Sequence, residues 1–145
     1  MNREMIFRGK RLDNNEWVYG DLVHDNKCGC YIYPLDCHAL FVENKVDPDT
    51  VGEFIGKNDK NSIKIFEGDV VRRKDSVYGI EDTGVVKYDC HLCAFIFEYE
   101  SYEETFQSTF DDEFSDEDGN CTIDGTYSYE VIGNIYNNPE LLDKK

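Results

Sequence analysis

A chain of 145 residues, 40% hydrophobic and 14% aromatic, carries enough apolar material for a packed interior, which excludes general disorder. Its 31 acids against 15 bases give a formal charge of −16, a field that opposes binding to phosphate backbones and anionic membrane surfaces. No apolar run reaches the roughly 20 residues of a bilayer span, and the opening MNREMIFRGK lacks the order of an export signal, so a cytoplasmic protein with reduced thiols is expected.

Alternation of apolar and polar residues, rich in aromatic and β-branched types, predicts short strands at Met5 to Arg8, Glu16 to Tyr19, Leu22 to His24, Cys30 to Tyr33 and Ala39 to Val42. It continues at Ile63 to Phe66, Val70 to Arg72, Val85 to Tyr88 and Phe95 to Tyr99, and Tyr127 to Tyr136 supplies two more broken at Gly133. Many short strands separated by Asn, Asp and Gly clusters predict a mainly β fold, a barrel or sandwich. Asn14-Asn15 and Asn61-Ser62 stand where a hairpin wants a positive φ; Asn tolerates it, while Ser62 fits less well and points to a longer or different turn.

Trp17 to Val23 and Ile65 to Val71 share an apolar pair, Gly-Asp and another apolar pair. This is read as one local device used twice, with Gly20 and Gly68 bending the backbone between strands and Asp21 and Asp69 bonding nearby amides. The acids at Glu67 and Asp69 also invite a search for acid-base chemistry, but carboxylates are too numerous here for any pair to stand out.

From Glu98 to Asp118 the chain holds ten acids and no Lys or Arg. Tyr102, Phe106, Phe110 and Phe114 fall four apart, which predicts an acidic helix with an aromatic stripe packed on the β body. The alternative is a mobile acidic segment with exposed aromatics, whose functional version is a partner-binding element in which Tyr102, Phe106, Phe110, Phe114, Asp111, Asp112 and Glu113 make the contact. Basic residues cluster at Arg3, Arg8, Lys10 and Arg11 and at Arg72, Arg73 and Lys74; on so acidic a chain they are expected to pair internally or with a second subunit.

Thiolate and imidazole are the ligands of tetrahedral zinc, and of the six cysteines only Cys90 and Cys93 have the favoured Cys-x-x-Cys spacing. A site using Cys28, Cys30, Cys90 and Cys93 is the version to test, against the plainer role of Cys30 and Cys93 as small buried hydrophobes. Cys37-His38 and Cys90-His91 are sequence neighbours, which on a strand face opposite ways and so cannot exchange a proton. No phosphate loop, zinc-protease motif or nucleophile elbow occurs, and no catalytic residue is assigned.

Three blocks, NREMIFRGKRLDNNEWVYGDLV, VDPDTVGEFIGKNDKNSIKIFEGDVV and YEVIGNIYNNPELL, resemble in order the blocks of the YopX family of phage and prophage proteins. That resemblance implies a mainly β domain spanning 1–145, with extra N-terminal strands over 1–50. A small SH3-type barrel over 51–145 would carry the acidic insertion 98–118 and a short C-terminal helical turn. It implies no established activity and no catalytic residues. Gly20, Asp21, Thr50, Gly52, Gly68, Asp69, Gly133, Asn134 and Pro139 fall on motif positions with structural explanations, whereas Asn15 and Ser62 depart from a family glycine. The resulting expectation is a non-enzymatic accessory protein that binds a host or phage protein in the bacterial cytoplasm, forms a homo-oligomer and needs no cofactor. The alternatives are an acidic mimic of DNA and a zinc-binding protein.

Overall fold

The computed structural model describes residues 2–35, 44–75, 78–99, 102–105 as backbone, and 127–143. The chain divides into two units, Met1–Phe54 and Ile55–Lys145.

In the first unit β1 (Phe7–Lys10), β2 (Trp17–Asp25), β3 (Gly29–Pro34) and β4 (Lys45–Val46) lie antiparallel in the order β4-β3-β2-β1. The leading residues of β5 (Gly52–Asn58) add to β1, with Gly52 opposite Arg8 and Glu53 opposite Phe7. The period-2 pattern buries Val18, Cys30, Ile32 and Val46 together, with Phe7, Leu22 and Val51 packed against them. An isolated bridge from Arg11 to Val46 also ties β4 to the end of β1. Between β4 and β5 a 3-10 turn, η1 (Pro48–Thr50), is started by Asp47, whose Oδ1 accepts from the Asp49 amide at 3.0 Å. Thr50 is buried because its Oγ1 accepts from the Lys10 amide at 2.9 Å. The two Gly-Asp segments are thus not one device. Gly20 sits inside an unbroken β2, so the predicted pair of strands there is a single one.

The second unit holds the rest of β5, β6 (Lys64–Phe66), and a five-stranded antiparallel sheet in the order β10-β9-β8-β7-β11. Its members are β7 (Asp69–Asp75), β8 (Glu81–Asp89), β9 (Ala94–Tyr99), β10 (Tyr102–Thr105) and β11 (Tyr127–Asn134). Ile55, Ile65, Val71, Val86, Phe97 and Tyr129 form its core, with the Phe97 and Tyr129 rings edge to face at 6.0 Å. β11 runs through Gly133 as one strand with a bulge between Val131 and Gly133 rather than breaking in two.

No closed barrel occurs among the described residues, so the SH3-type barrel is not what the strand order shows. The outward edge of β11 is occupied instead by the β5–β6 turn: the Lys60 amide donates to the Tyr129 carbonyl at 2.9 Å, and the Val131 amide to Asp59 Oδ2 at 2.9 Å. The helix predicted across 98–118 is also corrected where the structure describes it. Glu98 and Tyr99 end β9, and Tyr102–Thr105 is a strand paired to it, because cross-strand partners on an existing sheet outweigh a local helical period in so charged a segment. The strand predicted at Ala39 to Val42 lies outside the described residues.

The turns follow their side chains. Asn15 has a φ of 61° at the end of the Leu12–Asn15 loop. Ser62 has a φ of 63° and closes the longer turn expected there, with the Asp59 amide donating to the Ile63 carbonyl at 2.7 Å. A serine in that region is strained by roughly 1 kcal/mol relative to glycine, so Ser62→Gly should raise stability by about 1 kcal/mol. Urea unfolding measures it, and a variant no more stable than the parent would contradict the strain. At the C-terminal end the expected short helical turn is the 3-10 turn η2 (Pro139–Leu142), which begins with proline and leaves Leu142 exposed.

Candidate functional site

The acidic segment enters the described structure as the β9–β10 hairpin. Register places Tyr102 opposite Tyr99, Glu103 opposite Glu98, Glu104 opposite Phe97 and Thr105 opposite Ile96. Lys87 of the neighbouring strand β8 pairs with Glu98. β10 is the outermost strand of its sheet. Phe106, Phe110, Asp111, Asp112, Glu113 and Phe114 lie outside the described residues.

The basic clusters find acids or rings within the chain, Arg8, Lys10 and Arg73 as buried residues and Arg3, Arg72 and Lys74 at the surface. Arg3 pairs with Glu53 and Arg11 with Asp13, whose carboxyl is held below its ordinary range by the Arg11 guanidinium. Arg8 and Lys10, both buried, stack on the Trp17 ring with the guanidinium carbon 4.7 Å and the ammonium nitrogen 5.5 Å from its centroid. Arg72 and Lys60 share Glu130 at 3.2 and 3.3 Å, which lowers the carboxyl's pKa chiefly through the Lys60 bond, and Lys74 meets Glu81 at 3.5 Å. Arg73 is buried in a box that sequence reasoning missed. Its guanidinium carbon stands 4.4 Å from the Tyr99 ring, 4.7 Å from Tyr127 and 5.3 Å from Phe97, while Nη2 donates to Asp82 Oδ2 at 2.8 Å. The three rings come from β9 and β11, strands far apart in sequence, so no local pattern announces the box.

Several carboxylates hold backbone amides. Asp69 Oδ2 accepts from the Phe66 amide at 2.8 Å, and Gly68, with a φ of 83°, lets the chain turn from β6 into β7. A side chain at Gly68 would also press on Tyr136, 2.9 Å away. The Glu-Gly-Asp step is therefore a turn whose Asp is its acceptor. Asp21, its counterpart, is an exposed residue of β2 opposite Tyr33. Asp89 accepts from His91 and Leu92, and Asp25 from Lys27 and Cys28; the amide bonds hold both carboxyls below their usual range. Asn134 Oδ1 accepts from the Tyr136 and Asn137 amides at 3.1 and 2.9 Å, and Gly133 leaves room for Asn138 and Leu141.

The cysteines fall into different settings. Cys28 and Cys30 belong to the first unit, where Cys30 is buried in the apolar cluster, and Cys90 and Cys93 are exposed in the second. Among the described residues no three His, Cys, Asp or Glu side chains gather as a metal site would; Cys37, His38 and Cys121 lie outside them. No described helix is long and apolar enough to cross a membrane.

Comparison with known proteins adds a family and a fold. The family model described as "YopX protein" matches residues 6–143. No curated protein matches. Among solved structures the chain is similar to the crystal structure of protein EF1440 from Enterococcus faecalis, at 21% identity and a TM-score of 0.55, over 97% of this chain and 99% of that one.

Proposed function

The chain belongs to the YopX protein family, and from that premise we propose that it works by binding another protein rather than by catalysing a reaction. The observation that carries this reading is the segregation of charge. Residues 98–118 hold ten acids and no base in a chain of net charge −16, whereas the basic clusters are engaged with internal carboxylates and rings. The acidic run begins on the outermost hairpin of a sheet, where backbone donors and acceptors suit an extended peptide. The partner is a basic segment of a host or phage protein met in the bacterial cytoplasm, with Tyr102, Phe106, Phe110 and Phe114 supplying apolar contact among the acids. Self-association through the remaining strand edges gives a homo-oligomer.

Replacing Glu103, Asp111, Asp112 and Glu113 together by Lys should reduce the captured partner at least ~10-fold in affinity chromatography from host extract. Undiminished capture would refute a contact made by these acids. The net charge of −16 also favours a second reading, in which the segment imitates the phosphate backbone and occupies a DNA-binding protein. Capture of such proteins that collapses as salt rises distinguishes it; capture that persists at high salt points to the apolar contact.

A further inference from the structure

The thiols of Cys90 and Cys93 cap the β8–β9 hairpin without serving its packing, and we propose that they form a two-thiolate site for a soft monovalent cation, copper(I). The ladder runs as far as the Asp89–Ala94 pair, so the two cysteines are the first and last residues of the four-residue loop that follows. Both are exposed. The loop is shaped before any ligand arrives: Asp89 Oδ1 accepts from the amides of His91 at 2.7 Å and Leu92 at 3.0 Å, and Cys93 holds a φ of 51°. That conformation folds the second sulfur back over the first residue, and the Cys93 thiol donates to the Cys90 carbonyl at 3.5 Å. Cys90 and Cys93 stand at the two ends of a four-residue loop, a spacing from which side-chain rotation can bring both sulfurs to one ion.

The number of donors selects the metal. Structural zinc takes four ligands in a tetrahedron, while copper(I) is a thiolate-seeking ion for which two sulfurs make a complete linear set. The field of a chain with charge −16 draws cations towards it. Binding is an exchange without electron transfer: each thiol releases its proton, two sulfur–copper bonds form and copper stays monovalent. Cys30, closed within an apolar cluster, has no such access.

The test uses the full chain, reduced and free of oxygen, in which Cys28, Cys37 and Cys121 are replaced by Ser. It is titrated against copper(I) held by the coloured chelator bathocuproine disulfonate. One copper(I) per chain should be withdrawn from the chelator, and Cys90→Ser or Cys93→Ser should each weaken that withdrawal at least ~100-fold, the loss of a tethered second donor, with the circular dichroism unchanged. In the parent chain, with all six cysteines, replacing Cys90 and Cys93 together should remove one equivalent. Undiminished withdrawal by the single variants, or retention of every equivalent by the double one, would overturn the site.

Discussion

Asp59→Ala should destabilise the second unit by about 3 kcal/mol, from three lost hydrogen bonds at roughly 1 kcal/mol each. The Asp59 side chain has no exposure to solvent. Its Oδ1 accepts from the amides of Asn61 at 2.8 Å and Ile63 at 2.9 Å, and Oδ2 from the amide of Val131 at 2.9 Å. The first two bonds shape the β5–β6 turn, and the third fastens that turn to β11 beside its bulge, across 72 positions of sequence. Alanine leaves three amide donors without this acceptor: those of Asn61 and Ile63 sit on exposed residues, while that of Val131, in the half-buried β11, bears the larger desolvation cost. Asp59→Asn keeps one carbonyl oxygen but turns an NH2 group towards an amide donor, so its loss should fall between those of the parent and Asp59→Ala. Urea unfolding followed by circular dichroism measures both. A cost under about 1 kcal/mol for alanine, the level of an ordinary surface change, would show that the amides do not depend on this carboxylate.

The behaviour of Asp59 marks where sequence reasoning runs out. Strands built on alternating β-branched and aromatic residues were legible: β3, β7, β8 and β9 stand where Cys30 to Tyr33, Val70 to Arg72, Val85 to Tyr88 and Phe95 to Tyr99 place them. So was the positive φ at Asn15, since local side-chain chemistry decides it. β5 was hidden by its two glycines and polar end, and β4 by its length of two residues. β10 was hidden because four-residue spacing of aromatics imitates a helix, and only its partner β9 settles the conformation. Tyr102 was legible as part of a charged aromatic run but not as a residue of an edge strand. Asp59 was one acid among 31, and its decisive partner, Val131, has no sequence signal that could point to it. Local chemistry is readable in this chain; pairing across distance is not.

Gly20→Ala is the second large effect and isolates the difference between two glycines that look alike in sequence. Gly20 lies within β2, directly opposite Pro34 at the end of β3. A methyl group there would overlap the carbonyl oxygen of Tyr33 and come within 2.9 Å of Pro34 Cα. Both obstacles are backbone, so no side-chain rotation relieves them; β3 must move away from β2, and the pairs Asp21–Tyr33 and Leu22–Ile32 adjoin the collision. Ile32 is fully buried in the first unit's core, so the shift also opens apolar packing. We expect a cost of at least ~3 kcal/mol, as for severe overpacking. Gly79→Ala is the control, because Gly79 has a φ of 67° but nothing within 4 Å of an added Cβ. It should cost only the ~1 kcal/mol of left-handed backbone strain. A Gly20→Ala protein that unfolds with Gly79→Ala, at a similar urea midpoint, would mean that β2 and β3 do not approach as closely as the Gly20–Pro34 register requires.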